Sequence, residues 1–356
     1  MHIVIAILAL SVLVLIHEFG HFIFAKIFRV RVNEFSIGLG PKLFGFRAGE
    51  TFFSLRALPF GGACMMEGED GESDPEDRPE DWIPCPPERT FTAQKPWKRL
   101  IILVAGAALN LLCGVVLLFF LILPAENRVV PVIGAFGDEY AETGVAGLQV
   151  GDEILKINGE RVYITNDISI LLGRGGDRAD ILVRRDGEKV LLENAELKVG
   201  EYTYNGQKLK GYGLLLTRRE NNLAATLTGA VRTAAYYVRT VRFSIADIFR
   251  GQVKLEDMSG PVGITATMSE VAKTSGISSL LSLVAYITIN LGVMNLLPIP
   301  ALDGGRVVFL AIEKILSLFG VKMPRKYEAY VNAAMLILLL GFIALVSVND
   351  VVRLFK

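Results

Sequence analysis

"LIHEFGHFIF", residues 15–24, sets two histidines and a glutamate inside an apolar run that begins at the third residue of the chain. The pattern is H-E-x-x-H, with His17, Glu18 and His21. On a helix, residues i and i+4 share a face, so both imidazoles can reach one zinc ion while Glu18, next to a ligand, approaches water as a general base. The chain has 3 histidines, and two of them stand here. A charged group at mid-membrane costs about 2.5–3.5 kcal/mol on insertion scales, so such groups persist where they have a functional partner. The structural alternative is that the histidines satisfy one another or backbone carbonyls between helices.

Composition agrees with a membrane setting. Hydrophobic residues make up 52% of the 356, and the mean hydropathy of +0.44 exceeds what a soluble domain of this length needs for its core. The runs 3–28, 100–123 and 331–348 each approach the roughly 20 apolar residues that cross a bilayer, and a fourth, 280–297, ends in prolines. The first run is expected to be a retained span, because Ala25 is followed by Lys26 and Ile27 rather than by a cleavage signature. A formal net charge of +0 gives no sign of a nucleic-acid partner, and Cys64, Cys85 and Cys113 have neither disulfide nor metal-site spacing.

Two histidines leave a catalytic zinc short of a third protein ligand. Residues 295–306, NLLPIPALDGGR, place Asp303 in another apolar region, with Pro298 and Pro300 before it and Gly304 and Gly305 after. Such residues break a helix, and a membrane tolerates irregular backbone only within protein or beside a water-filled cavity. His17 lies about 21 Å into its run at helical rise, and Asp303 lies a comparable distance into its own. Alternatively, Asp303 caps a helix beginning at Gly304.

The intervening segments are unlike one another. Residues 35–41 and 50–58 read as short strands joined at glycines, ending at Gly61 and Gly62. The acidic tract 67–88 reads as a solvated loop. Residues 146–162, AGLQVGDEILKINGERV, run from a turn into an alternating strand and an Asn-Gly hairpin signal. This pattern resembles a PDZ domain of the bacterial protease-associated type over residues 130–217, with further strands at 179–185 and 211–216. The Gly211 to Leu214 stretch resembles a carboxylate-binding loop, with Gly211 and Gly213 exposing amides to a peptide C-terminus. Residues 224–248, with Arg232, Arg239 and Arg242 on one side, suit a helix at the membrane surface.

With HEFGH at 17–21, NxxPxPxLDGG at 295–305, the glycine-punctuated stretches 35–41 and 59–62, and GPVGI at 260–264, nearly the whole chain resembles the site-2 proteases, specifically the bacterial branch with a single PDZ domain. The resemblance implies four core spans, Zn2+ held by His17, His21 and Asp303, Glu18 as general base, and Asn295 holding substrate or transition state. It further implies a membrane-associated β-hairpin that takes unwound substrate by edge pairing, with Gly38, Phe53 and Leu55 on that surface. The implied substrates are single-span membrane proteins such as anti-sigma factors, pre-cleaved outside the membrane by another protease, or signal-peptide remnants. Two departures stand out: Ala63-Cys64-Met65 occupy positions where Tyr-Val-Lys is usual, and Ala107 follows Gly106 where proline is usual. Neither touches the ligands.

The expected fold is therefore a polytopic α-helical membrane protein with a membrane-associated β-hairpin and one extracytoplasmic, β-rich PDZ domain. Its expected segments are span 1 with HExxH (1–28), a cytoplasmic-side segment (29–99), span 2 (100–123), the PDZ domain (130–217), a membrane-surface helical linker (218–279), a broken third span with the LDGG motif (280–319), and span 4 (331–352). Lys26, Arg29, Arg31, Lys95, Lys98 and Arg99 flank the first connection and Lys322, Arg325 and Lys326 the last, which makes both cytoplasmic, puts the PDZ segment outside a cell (inner or plasma) membrane, and sets the zinc site toward the cytoplasmic side. Two other readings compete with the enzyme. One is a non-catalytic PDZ scaffold with a vestigial metal site. The other is a metal transporter, which would need a chain of polar groups across the membrane where the sequence offers little beyond Asn110 and Asn290.

Overall fold

The computed structural model describes residues 2–69, 84–140, 145–321 and 325–354, so most of the acidic tract lies outside the described residues. Among the described residues, four helices are long and apolar enough to cross a membrane: α1 (His2–Ile27), α2 (Pro96–Ile122), α6 (Gly276–Asn295) and α8 (Arg325–Leu354). A helix of 26 residues, as α1 is, spans about 39 Å at 1.5 Å per residue, enough for a hydrocarbon core of about 30 Å. Ile3, Val4, Leu8 and Val12 of α1 and Ile337, Leu338 and Leu340 of α8 are exposed. Water would penalise such surfaces, and lipid does not, so these faces have the character of a membrane protein. The chain divides into two units, Met1–Leu117 with Thr240–Lys356, and Leu118–Arg239.

In the first unit a small sheet follows α1. Its two long strands, β1 (Val32–Ala48) and β2 (Thr51–Met66), are each bent into two halves. Gly38 and Gly40 at φ 84° and 85° bend β1, and Gly61 at φ 84° bends β2, conformations that residues with a Cβ rarely adopt. Phe44 to Ala48 pair with Thr51 to Leu55 as a hairpin, while Val32 to Ile37 pair with Gly62 to Met66. Glu34, Phe35, Ser36 and Ile37 also align with Phe52, Phe53, Ser54 and Leu55 in rising register, so these halves run parallel. The inner strands are thus 32–37 and 51–56, and the edges are 42–48 and 62–66. Phe22 of α1 packs edge-on to both Phe35 and Phe53 at 5.2 and 5.8 Å, locking the sheet against the helix that carries the histidines. At the hairpin turn Glu50 accepts from Lys26 and Arg89 at 2.8 and 2.7 Å. Burial alone would raise its pKa, but these two cations hold it down at about 2.

The start of the acidic tract differs from the solvated loop expected. Glu67 is buried and accepts from Asn33 Nδ2 at 2.8 Å, and Glu69 forms an ion pair with Arg306 of α7 (Asp303–Leu318). The polar signal in the sequence was real, but its partners lie far along the chain. Helix α5 (Pro261–Thr274) packs on α1, α6 and α8, with proline at its first position and Gly260 and Gly263 donating to Asp350 Oδ2 of α8 at 2.9 and 2.8 Å.

The second unit carries a six-stranded sheet in the order β10 (Leu214–Glu220), β3 (Asn127–Phe136), β4 (Glu153–Ile157), β6 (Arg178–Arg185) and β7 (Glu188–Glu196), with β5 (Glu160–Arg161) paired to β4. Asn158 and Gly159 take φ 49° and 79° between β4 and β5, the tight turn their dipeptide predicts. Helix α3 (Asn166–Gly175) and the hairpin β8 (Gly200–Tyr204) and β9 (Gln207–Gly211) complete the unit. Helix α4 (Leu223–Phe249) matches the helix expected at 224–248, but Arg239 does not lie on a membrane surface. It is buried, donates to Asp167 Oδ1 at 2.5 Å and sits 4.4 Å over the Tyr163 ring, because Asp167 caps the turn before α3 from the amides of Tyr163 and Ile164 and needs a countercharge.

Candidate active site

Helix α1 brings its histidines to a close crossing with α2. A Cβ on Gly20 would lie 2.5 Å from the carbonyl oxygen of Ala105, and one on Gly106 would lie 2.8 Å from the carbonyl oxygen of His17 while clashing with His21 Nε2. Only glycine fits at either position, so the two backbones meet where the ligating face lies. His21 Nδ1 donates to the Ile102 carbonyl of α2 at 2.8 Å, which leaves the lone pair on Nε2 and fixes the ring. His17 and His21 are buried, with rings edge to face at 4.8 Å and Nε2 atoms 3.3 Å apart.

Asp303 reaches them from the break between α6 and α7. Helix α6 stops at Asn295, and in the connection Ala301 takes φ 71° while its amide donates to Asn332 Oδ1 of α8 at 3.0 Å. Gly304 and Gly305 press against the backbone of residues 296–300, with no room for a Cβ. Asp303 is the first residue of α7, and the residue capping that helix, Leu302, makes no side-chain cap. Its carboxylate is turned instead to the histidines: Oδ2 lies 3.1 Å from His17 Nε2 and 3.3 Å from His21 Nε2. That oxygen is buried without a hydrogen-bond partner among the described residues.

These three atoms therefore form a triangle with edges of 3.1, 3.3 and 3.3 Å. Tetrahedral ligands at about 2.0–2.1 Å from zinc stand about 3.3 Å from one another, so the donor set and its spacing fit that ion and leave the fourth position for water or substrate. The neighbouring polar groups have the right kinds. Asn295 Nδ2 is 3.2 Å from His17 Nε2, and Glu18, half-buried, has its Cγ 3.2 Å from where a Cβ on Gly62 would be. The edge strand 62–66 thus begins beside Glu18.

A family model described as "Peptidase family M50" matches residues 5–342. The chain belongs to peptidase family M50. A protein of Fusobacterium nucleatum named as a zinc metalloprotease is 35% identical over 99% of both chains, and one of Clostridium perfringens with the same kind of name is 34% identical over 99% of both. The regulator of sigma-W protease RasP of Bacillus subtilis is 29% identical over 98% of both. This M50 peptidase is a zinc metalloprotease of the site-2 type and a multi-pass membrane protein, with zinc as its cofactor.

Of the residues singled out in the sequence, His17, His21, Asn295 and Asp303 come together in this M50 peptidase, and Glu18 follows His17 on α1 with its Cγ beside Gly62. Gly38, Phe53 and Leu55 stand elsewhere. Phe53 aligns with both Phe35 and Phe46, and Leu55 with both Ile37 and Phe44, so an added strand has no access to this inner segment. Gly38 sits at the bend of β1 against the Leu58 carbonyl. The edge beside the site is 62–66. Gly211 and Gly213 belong to the second unit, where Gly213 at φ 70° precedes β10 and its carbonyl accepts from Gly137 at 3.0 Å. Sequence reading missed Gly20, Gly106 and the Glu69 to Arg306 pair. Gly20 lies inside the quoted motif, so its glycine was the available signal.

Proposed function

We propose that this M50 peptidase cleaves peptide bonds within the membrane spans of single-span membrane proteins, with His17, His21 and Asp303 holding the zinc. The observation that carries the reading is the triangle of three lone-pair atoms beside Glu18 on a span-length apolar helix. Zinc, when bound, supplies Lewis-acid polarisation of water and of the scissile carbonyl. Glu18 takes the proton from water and delivers it to the departing amine, so one carboxylate acts as base and then as acid. Asn295 donates from Nδ2 to the oxygen that gains charge at the carbonyl. Ile102, through its carbonyl, holds His21 in the tautomer that presents Nε2.

The substrate enters as an added strand on the 62–66 edge, which satisfies amides unwound from its helix and sets a peptide bond beside Glu18. The second unit acts as an extracytoplasmic PDZ domain, its β10 edge next to the Gly211 to Gly213 turn admitting or capturing a trimmed substrate. The basic residues flanking residues 29–99 favour a cell-membrane orientation with the zinc site toward the cytoplasm. RasP of Bacillus subtilis is named as the regulator of sigma-W protease, which favours pre-cleaved anti-sigma factors as one substrate class, alongside signal-peptide remnants.

The test is reconstitution into vesicles with a single-span substrate, with zinc measured per mole of protein and cleavage positions mapped by mass spectrometry. Wild type is expected to carry one zinc and cut inside the apolar segment. His17→Ala, His21→Ala and Asp303→Asn should each lower zinc content. Full zinc and turnover in Asp303→Asn would remove that residue from the ligand set.

A further inference from the structure

Beside the proposed catalytic groups lies a cavity of about 240 Å³, all of whose lining side chains are apolar. Leu13 and Val14 of α1, Ile264 of α5, and Ile287 and Leu291 of α6 form its walls, and Gly61 of β2 closes it on the sheet side. Its position follows from helical spacing. Leu13 stands one turn before His17, Val14 one turn before Glu18, and Leu291 one turn before Asn295. A turn rises about 5.4 Å, so these wall residues stand about that far along their helices from the groups that handle the scissile peptide. Gly61 immediately precedes the 62–66 edge, and Val14 Cγ1 stands 3.8 Å from where a Cβ on Gly62 would be. The cavity, the strand edge and Glu18 therefore meet at one place.

We infer that this cavity is the specificity subsite of the peptidase, taking one bulky apolar side chain, of leucine or phenylalanine size, from the substrate residue that flanks the scissile bond on the side of the N-terminal half of α1. The inference rests on the 62–66 edge receiving the substrate strand. An added strand advances about 3.3 Å per residue, which brings a flanking side chain to a pocket one helical turn from the reacting carbonyl. Size agrees, since an apolar protein cavity of about 150 Å³ suffices to hold benzene. Chemistry agrees too: a charged or amide side chain would find no hydrogen-bonding group on these walls and would be rejected. Gly61 adds only backbone to the sheet-side wall, because its φ of 84° and the Leu39 side chain 2.7 Å from where its Cβ would be exclude a side chain there.

The experiment uses the full-length protein in vesicles and single-span substrates that differ only at the flanking residue, as Ala, Val, Leu, Phe, Asn or Asp. Wild type should prefer Leu or Phe over Ala by about 10-fold or more in kcat/KM, the discrimination typical of apolar pockets. Ile264→Phe, which fills the cavity, should reverse that preference, with the Ala substrate cut at least as well as by wild type. Ile287→Ala, which enlarges it, should raise the preference for Phe. A photoreactive leucine analogue at the flanking position should label α1, α5 or α6 in Glu18→Gln. Active protein whose preference is flat across the panel and unmoved by both variants would overturn the subsite, and would fit a lipid chain as occupant. Loss of all cleavage by wild type would instead strike the peptidase reading itself.

Discussion

Adding one methyl group at Gly106 should cost this enzyme its zinc. The Cβ of an alanine there would sit 2.8 Å from the His17 carbonyl oxygen and 2.9 Å from His17 Cε1. Ordinary contact begins near 3.4 Å, and His21 Nε2 would stand nearer still than either of these atoms, so the helices must separate, or the rings must move, by more than about 0.6 Å. A metal constellation tolerates displacements of about 0.5 Å, and overpacking of this kind costs about 1–3 kcal/mol. The strain falls on His17 and His21 together, so zinc affinity should drop by about 10- to 100-fold, the loss typical when the groups supporting metal ligands are disturbed. Competition with a chelator of known affinity, on purified protein in detergent, measures this directly. Gly341→Ala is the control, because nothing lies within 4 Å of its would-be Cβ, and it should bind zinc as wild type does. Gly106→Ala with wild-type zinc affinity would refute the packing argument.

Further consequences concern the sheet, the second unit and acid. Proline placed singly at 63 to 66 should reduce cleavage at alternate positions with zinc retained, since every second amide on an edge strand faces outward; a flat response would remove that edge from substrate binding. Asp167→Ala leaves Arg239 buried with only the more distant Glu160, 3.8 Å from its Nε, as countercharge and should destabilise the second unit by about 3 kcal/mol in denaturant melts, whereas a surface-like loss under 1 kcal/mol would contradict the burial argument. Glu50 has its pKa lowered in the folded state, so its contribution is present above the unfolded value of 4.5 and lost as pH falls toward about 2. Thermal melts of wild type and Glu50→Gln should therefore differ at pH 7 and converge only as pH falls to about 2, and an equal gap at both would be a failure.

How much could be read beforehand differs by element. The spans were legible because lipid demands uninterrupted apolar helices, and the H-E-x-x-H spacing encodes a shared face without reference to anything distant. Asp303 was legible because a carboxylate in an apolar run has few other uses. The folding back of β1 and β2 was not, because alternation reports that a segment is extended and not which neighbour it finds. That is why Phe53 and Leu55 were expected to meet substrate and instead lie on an inner strand. Arg239 was expected at a membrane surface and Glu67 in solvent for a related reason: a charge buried with a partner far along the chain looks, locally, like an unpaired charge on a surface. Gly106 carried information that composition cannot convey, since a glycine mid-helix signals close approach only once the opposing helix is known.

The central claim is that Glu18 moves the proton in a peptide hydrolysis whose metal it does not hold. Its most direct test compares zinc-loaded wild type with zinc-loaded Glu18→Gln on one vesicle-embedded single-span substrate. Equal zinc content with turnover reduced by about 10²- to 10⁴-fold is the predicted result; equal zinc with unchanged turnover would contradict it.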